Sequence, residues 1–273
     1  MTGLHRHLAP LSDAAWARLE TEARETLSTH LAARRFVDFD GPLGWDHSSI
    51  DLGRVEVLEG DPAGAEALVR RRVVRPLIEL RIPFGLSRDE LDRIDRGAAS
   101  VDLEPLHEAA RRFAKAEDDA LFEGYADADI PGILTDATTE GVAMPDEVSA
   151  LPDAISEALA QLHHAGVAGP YAVALGPETY SALQRTTGVG GYPVLSHVRN
   201  LIDAPVVWAP SLRGGMVASL RGGDFKLVCG RDAAIGYASH DDEMIRLYLE
   251  ESFAAELTGA EAAVPLLAAD ARS

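Results

Sequence analysis

Cysteine is almost absent from this chain, since Cys229 is the only one among its 273 residues. A single thiol excludes an internal disulfide framework and a thiolate metal cluster, and it fits a reducing compartment. Long apolar runs are also missing, because no stretch approaches the roughly 20 residues that a membrane-spanning helix requires. The N-terminal residues lack the apolar core of a signal peptide. The sequence therefore predicts a cytoplasmic protein with no membrane partner.

Basic residues are scarce relative to acidic ones. Lys and Arg together number 25 against 44 Asp and Glu, which gives a formal net charge of -19. Such a chain repels phosphate backbones, so nucleic acid is not expected as a partner. The hydrophobic content of 47% is ample for a sizeable core. These numbers together indicate an ordinary globular protein.

Recognisable catalytic motifs are missing too. The chain has no Gly-x-Ser-x-Gly elbow, His-Glu-x-x-His pair, Cys-x-x-Cys, P-loop or dinucleotide fingerprint after a strand. The acid clusters 117–119 and 241–243 and the histidine pair 163–164 are better explained as structural or solvated groups than as metal or acid-base sites. A Ser-His-Asp triad assembled in space stays open, although no spacing points to one. We therefore expect neither catalysis nor a bound metal or other cofactor.

Two long amphipathic helices are the clearest secondary-structure signals. Ser12 is the predicted cap of the first helix, and the apolar positions that follow it recur three and four residues apart. These positions are Trp16, Leu19, Ala23, Leu27 and Leu31. Pro105 opens a second and longer helical pattern that ends at Gly124. Between them, Ser87 and Glu90 have the spacing of a capping box at the start of a short helix.

Strand-like segments fill much of the remaining chain. Residues 52–58 and 68–84 flank a Gly- and Pro-containing turn, which predicts a long hairpin. Five arginines lie within the second arm, at positions 70, 71, 72, 75 and 81. They either form a solvated face or pair with the acids of another subunit. Further strand signals near the C-terminal end make the chain an α+β protein.

Short motifs spread over nearly the whole chain resemble the encapsulins, a family of bacterial shell proteins that includes the linocin and culture-filtrate antigen proteins. The motifs are Leu8-Ala9-Pro10-Leu11 followed by Trp16, Arg34-Arg35-Phe36-Val37-Asp38, Gly41-Pro42-Leu43-Gly44-Trp45, Pro76-Leu77-Ile78-Glu79-Leu80-Arg81, Phe122-Glu123-Gly124, Gly169-Pro170-Tyr171, Arg221-Gly222-Gly223-Asp224-Phe225, Ile235-Gly236-Tyr237 and Arg246-Leu247-Tyr248. They occur in the same order and at similar spacing. The specificity lies in the whole set and in no single motif.

The resemblance implies the HK97-like phage-capsid fold, an α+β fold with a peripheral domain, an extended hairpin loop and an axial domain. Mapped onto this chain, the N-terminal helix and first peripheral strand occupy residues 1–48, and the extended loop occupies 49–84. The peripheral domain with its spine helix follows at 85–131, and the axial domain at 132–220. Residues 221–273 form the C-terminal part of the peripheral domain.

The resemblance also implies a function, namely a self-assembling icosahedral shell that encloses a cargo enzyme. Such shells bind a short C-terminal targeting peptide of the cargo on their inner wall, and family cargos are dye-decolourising peroxidases or ferritin-like proteins. The matching motifs place the peptide-binding residues at Leu27, Leu31, Arg34, Asp38, Ile235 and Tyr237. Plain subunit packing is the alternative role for each of them. A pore would be rimmed by Thr187, Gly188, Val189 and Gly190.

For a chain of this length, the resemblance to the encapsulins implies a shell of about 60 subunits. Some encapsulins are similar to a shell that also holds a flavin. Asp89 stands where such a site would need an aromatic, so the resemblance does not extend a flavin site to this chain. Two alternatives are a prophage major capsid protein of the same fold and a bacteriocin or hydrolase, a role attached to relatives. The acidic balance argues against the first, and the missing nucleophile motif and signal peptide argue against the second.

Overall fold

The structure is a computed structural model that describes residues 3–60, 68–188, 191–202 and 204–268. Its α-helices are α1 (Asp13–His30), α2 (Arg88–Asp95), α3 (Glu104–Phe122), α4 (Leu151–His164), α5 (Pro177–Arg185) and α6 (Val194–Leu201). Its strands are β1 (Asp38–Asp40), β2 (Ser49–Val57), β3 (Arg70–Pro76), β4 (Ile78–Ser87), β5 (Val142–Ala143), β6 (Tyr171–Leu175), β7 (Val206–Trp208), β8 (Gly215–Ser219), β9 (Phe225–His240), β10 (Met244–Leu257) and β11 (Ala263–Leu267). Across these described ranges no helix combines the length and apolarity needed to cross a bilayer.

A four-stranded sheet in the order β1-β9-β10-β4 forms one body of the molecule. The long strands β9 and β10 run antiparallel, β4 adds antiparallel to β10, and the short β1 lies parallel to β9. Helices α1 and α3 cover one face of this sheet, and their apolar stripes share a buried core with it. That core includes Leu19, Leu27, Leu106, Phe113, Ile235, Leu247 and Leu249. The sheet and α1 thereby bring an N-terminal helix against the late strands β9 and β10.

A five-stranded sheet in the order β5-β11-β8-β6-β7 forms the second body, with α4 packed on it. Strand β11 pairs antiparallel with β8, from Ala263 opposite Ala218 to Leu266 opposite Gly215. The predicted division assigned residues 263–267 to the peripheral part, and this pairing corrects that assignment. After β10 ends, Gly259 and the 3-10 turn at 260–262 redirect the chain across to the second sheet.

The predicted hairpin is shorter at its C-terminal side than expected. Strands β2 and β3 pair antiparallel as a separate two-stranded ribbon that ends at Pro76. Residues 78–84, predicted as part of the extended loop, instead begin β4 in the four-stranded sheet. The Leu77 N–H donates to the Ser48 carbonyl at 2.9 Å and closes the base of the ribbon. Most residues of the ribbon are exposed.

The starts of the helices test the predicted caps. The Ser12 hydroxyl accepts the Ala15 N–H at 3.1 Å, so the cap of α1 is confirmed. Pro105 lies in the first turn of α3, as expected. The capping box at α2 is wrong: Ser87 makes no side-chain cap, and the Glu90 carboxylate accepts the Asp102 N–H at 2.9 Å. Glu90 therefore ties α2 to the loop that follows it.

Candidate functional site

The clearest candidate binding site is a groove of about 540 Å³ between α1, the chain that follows it and β9. Its apolar lining consists of Ala23, Leu27, Leu31, Ala233, Ala234, Ile235 and Leu249, and its polar lining of Arg6, Glu20, Arg24, Ser28, Arg34, Arg35 and Asp232. Leu27 and Leu31 are one helical turn apart, and Ile235 lies opposite Leu249 on the neighbouring strand. The groove is therefore an apolar trough with charged edges.

The N-terminal segment closes one end of this groove. The Leu4 carbonyl accepts the Tyr237 N–H at 2.8 Å, and Arg6 Nε donates to the Ile235 carbonyl at 2.6 Å. The Arg6 guanidinium also lies over the Trp16 ring, 4.9 Å from its centroid. Residues 4–6 thus run along the free edge of β9 and fix its position relative to α1.

Arg34 lies at the floor of the groove and is held by three carboxylates. Its Nε and Nη2 donate to the two oxygens of Glu117 at 2.6 and 2.8 Å, and Nη2 also donates to Glu251 at 3.0 Å. Nη1 donates to Asp232 at 2.8 Å. Burial lowers the pKa of Arg34, but the hydrogen bond and charge of Glu117, with the charges of Glu251 and Asp232, outweigh burial and raise it. Arg34 is therefore charged and largely occupied within its own chain.

Asp118 positions the short 3-10 turn at 33–35 that presents Arg34. Its carboxylate accepts the Ala32 N–H at 3.0 Å and the Ala33 N–H at 2.9 Å, so it caps the free amides at the start of that turn. Burial raises the pKa of Asp118 to about 7, against the two backbone hydrogen bonds that lower it. The acid cluster 117–119 on α3 thus contains two groups that shape the floor of the groove.

Four of the six predicted peptide-binding residues meet in the groove, namely Leu27, Leu31, Arg34 and Ile235. Asp38 and Tyr237 do not line it, and their part in peptide binding stays a prediction. Asp38 accepts the Gly223 N–H at 2.6 Å, because the Gly222-Gly223 turn at positive φ directs this amide toward β1. Tyr237 lies in the apolar core, and its hydroxyl is hydrogen-bonded to His240 Nδ1 at 2.5 Å.

The predicted pore residues are described only in part. Thr187 forms an isolated antiparallel bridge with Pro193, and the Gly188 N–H donates to the Tyr192 carbonyl at 2.8 Å. Val189 and Gly190 lie outside the described residues. The part of the loop that is described therefore closes back on the start of α6, and its position at a pore stays a prediction.

Sequence reasoning missed the polar groups that hold the groove together. Arg34 is separated from Glu117 by 83 residues and from Glu251 by 217, so no local pattern connects them. Arg6, Glu20 and Arg24 were also missed, although the 3.6-residue period places Glu20 and Arg24 beside Leu27 on α1. Within the described residues, no cluster of three His, Cys, Asp or Glu side chains is arranged to hold a metal ion.

Comparison with known proteins identifies a family. The sequence profile of the family described as "Encapsulating protein for peroxidase" matches residues 1–254. A type 1 encapsulin shell protein of Rhodospirillum rubrum is 52% identical over 270 residues, covering 97% of this chain and 96% of the relative. One of Mycobacterium tuberculosis is 42% identical over 266 residues, covering 97% and 99%. Both relatives are therefore matched over almost their whole length.

Solved structures agree on the fold. A virus-like particle from Pyrococcus furiosus aligns with a TM-score of 0.62 at 14% sequence identity, covering 92% of this chain and 99% of that one. The capsid of the Myoviridae phage XM1 aligns with a TM-score of 0.57 at 12% identity, covering 87% and 92%. At these identities the likeness concerns the fold alone. The predicted HK97-like capsid fold is confirmed.

Proposed function

The chain belongs to the encapsulin family of shell proteins, and on that premise we propose that its particle encloses a cargo enzyme bound through a short peptide segment. The shell is a capsid-like particle built from copies of this chain, and about 60 copies is the number we propose for it. The reaction belongs to the cargo, and the shell contributes enclosure and capture.

The observation that carries this proposal is the groove between α1 and β9. Its volume of about 540 Å³ and its apolar lining suit a few side chains of an extended peptide, not a folded domain. Leu27, Leu31 and Ile235 supply contact surface for leucine- or isoleucine-like side chains of the peptide. Many such weak contacts, one per subunit, hold a multimeric cargo firmly because its copies bind simultaneously.

Charge at the edges of the groove favours a particular peptide. Arg34 is engaged by Glu117, Glu251 and Asp232, whereas Asp232 keeps 43% of its side chain exposed. A basic residue of the peptide therefore finds an exposed carboxylate at Asp232, and an acidic one finds Arg24 or Arg35 at the opposite lining. We expect a peptide that combines apolar anchors with at least one charged residue.

The cargo we propose is a dye-decolourising peroxidase or a ferritin-like protein. The family description refers to peroxidase encapsulation, which supports the first choice. The relatives at 52% and 42% identity carry the name of encapsulin shell proteins, which favours this function over a phage capsid or a hydrolase. The likeness to phage capsids rests on 12% identity and concerns the fold alone.

A filled groove tests the proposal. Ser28 lines the groove and is exposed, so Ser28→Trp should occupy the trough without disturbing the core. The neighbouring Thr29 is the matched control, since both hydroxyls donate to the Glu25 carbonyl, at 2.9 and 3.0 Å, while Thr29 lies outside the groove. The probe is a fluorescent protein that carries the C-terminal segment of a peroxidase or ferritin-like protein from the same organism, co-expressed with each shell.

We expect wild-type and Thr29→Trp particles to co-purify with the fluorescent probe. Ser28→Trp particles should contain at least tenfold less probe per particle than wild-type particles. Electron microscopy of all three verifies that particles form. Equal loading of Ser28→Trp and wild-type particles would exclude the groove as the capture site. Absence of loading with every cargo segment tried, in intact wild-type particles, would exclude capture by C-terminal peptides of these two cargo classes.

A further inference from the structure

Two acids below the groove share one nitrogen of Arg34. Glu117 Oε2 accepts from Nη2 at 2.8 Å and Glu251 Oε2 accepts from the same atom at 3.0 Å. Both acids are completely buried, with relative exposures of 0%. The second oxygen of Glu251, Oε1, is buried and has no hydrogen-bond partner among the described residues. This oxygen is the only unsatisfied acid atom beneath the groove within the described chain.

The charges around this pair do not balance. Helix α3 contributes Glu117 and Asp118, the 3-10 turn contributes Arg34, β9 contributes Asp232, and β10 contributes Glu251. The buried Cys229 thiol is nearby on β9, and burial raises its pKa, so it adds no charge. Asp118 is occupied by two backbone amides, and Asp232 is partly exposed to solvent. One guanidinium therefore faces two fully buried carboxyl groups.

The arginines that pair with Glu250, the neighbour of Glu251 on β10, do not supply a second cation to the acid pair. Glu250 points to the opposite face of β10, where its carboxylate pairs with Arg81 and Arg231. Those two arginines are thus separated from Glu251 by the sheet. Two buried carboxylates that accept from the same guanidinium nitrogen do not both remain ionised, since their repulsion and the cost of desolvation add.

We infer that Glu117 and Glu251 share a single proton, and that this proton is a pH-sensitive latch that holds the floor of the groove together. With the proton present, a carboxyl-carboxylate hydrogen bond joins α3 to β10, and Arg34 neutralises the remaining charge. Without it, two buried anions repel across the joint that positions Arg34. Burial, followed by the charge of Glu117, raises the pKa of Glu251 well above its ordinary value, which supports this arrangement.

The direction of the pH dependence follows from linkage. A carboxyl group whose pKa is higher in the folded than in the unfolded state must bind a proton on folding. The stability of the folded state is therefore greatest below the ordinary pKa of glutamic acid, and it decreases as pH rises through the raised pKa of Glu251. Asp118 has a raised pKa as well and contributes in the same direction. Alkaline pH should loosen the groove.

The substitution Glu251→Gln tests the latch, because the amide imitates the protonated acid and still donates a hydrogen bond to Glu117. The apparent unfolding temperature of assembled particles is measured from about pH 5 to about pH 9 at fixed protein concentration and salt. We expect the wild-type value to fall by about 3 °C per pH unit more than that of Glu251→Gln. Asp118 titrates in both proteins, so its contribution cancels in this difference.

Two further variants distinguish a shared proton from simple packing. Glu117→Gln also leaves a single acid in the pair, so its pH curve should flatten as well, at a lower absolute stability because one contact to Arg34 is weakened. Glu250→Gln is the matched control on the opposite face of β10, and it should lower stability without flattening the curve. Parallel curves for wild type, Glu251→Gln and Glu117→Gln would overturn the inference, even if all variants are destabilised.

A second measurement links the latch to capture and rests on the proposed function. Loading of the fluorescent cargo probe is measured at about pH 6 and about pH 9. We expect wild-type particles to lose several-fold more cargo at the higher pH than Glu251→Gln particles. Equal losses would show that the latch does not reach the groove. Absence of loading at both pH values would contradict the proposed function, while the unfolding curves would still decide whether the two acids share a proton.

Discussion

The Asp118 carboxylate accepts the backbone N–H of Ala33 at 2.9 Å, and this contact joins the middle of the molecule to its candidate binding site. Asp118 belongs to α3, the longest helix described, and Ala33 begins the turn after α1. The same carboxylate accepts the Ala32 N–H at 3.0 Å. Helix α3 thus determines where α1 ends, and thereby how Leu31 and Arg34 are presented to the groove.

Asp118→Ala should destabilise the chain by about 1–3 kcal/mol, because two buried backbone amides lose their acceptor. Asp118→Asn should be intermediate, since an amide offers only one acceptor oxygen to two donors. Urea unfolding of the particles, followed by circular dichroism, measures the difference. Wild-type stability in the alanine variant would show that water replaces the carboxylate as the cap.

Arg34→Ala should destabilise the fold by about 3–5 kcal/mol, because removing the cation leaves the buried charge of the Glu117 and Glu251 pair without a counter-charge. Sequence reasoning expects this variant to lose cargo with its shell intact. The contacts instead predict reduced assembly. Arg34→Lys retains the charge but loses the paired contact to Glu117, so its loss should be smaller. Particle yield and unfolding midpoints decide between the two expectations, and full assembly of Arg34→Ala would restore the first.

The helix starts could be predicted from the sequence and the polar contacts of the groove could not, and the reason is physical. Helix α1 and the first turn of α3 were predictable because Ser12, Pro105 and the 3.6-residue period are local signals. The contact of Arg34 with Glu251 was not, because it joins segments that meet only after β9, β10 and α3 have packed. The failed capping box at Ser87 shows the same limit, since Glu90 found a partner beyond its own helix.

The groove shows the same division between local and distant signals. Leu27 and Leu31 follow from helical spacing, and Ile235 followed from a family motif. Asp38 and Tyr237 belong to matching motifs as well, yet the structure places them outside the groove. A motif marks a stretch of chain that resembles the family, but only the tertiary packing decides which of its side chains face a common space.

Asp38→Ala should leave cargo loading unchanged and cost at most about 1 kcal/mol of stability, because it removes one exposed hydrogen bond to the Gly223 N–H. This expectation departs from the assignment of Asp38 to peptide binding. Loading of the fluorescent probe into Asp38→Ala particles measures it directly. A loss as large as that of Ser28→Trp would mean that a bound peptide extends beyond the groove to β1.

Gly236→Ala should destabilise the four-stranded sheet by about 1–3 kcal/mol, because a Cβ there would overlap the Tyr248 ring. Gly236 and Tyr248 are direct partners on β9 and β10, and the ring covers the glycine. Displacing the ring also weakens its contact with Arg81, whose guanidinium lies 4.2 Å from the ring centroid. The double variant Gly236→Ala with Tyr248→Leu should lose less stability than the sum of the losses in the two single variants, because the smaller side chain removes the clash. Additive effects in thermal unfolding would exclude the clash.

The ribbon of β2 and β3 should be required for assembly but not for folding of the body. An isolated two-stranded ribbon is at best marginally stable in water, and this one exposes Val55, Val57 and Val74 beside its arginines. The marginal stability of the ribbon and its exposed valines and arginines both favour contact with an acidic surface of a neighbouring subunit. The triple change Arg70→Glu, Arg71→Glu and Arg72→Glu should therefore reduce particle yield several-fold while the subunit keeps its circular dichroism spectrum.

The control for this prediction uses an ion pair within the ribbon. Arg71 of β3 pairs with Glu56 of β2 at 2.6 Å, so exchanging the two residues keeps the pair and the net charge of the ribbon. The exchanged variant should assemble nearly as well as wild type, and raised salt should weaken wild-type assembly because exposed charges are screened. Normal particles from the triple variant would show that the arginines form only a solvated face. Failure of both variants to assemble would indicate that the position of each arginine, more than the net charge of the ribbon, determines the contact between subunits.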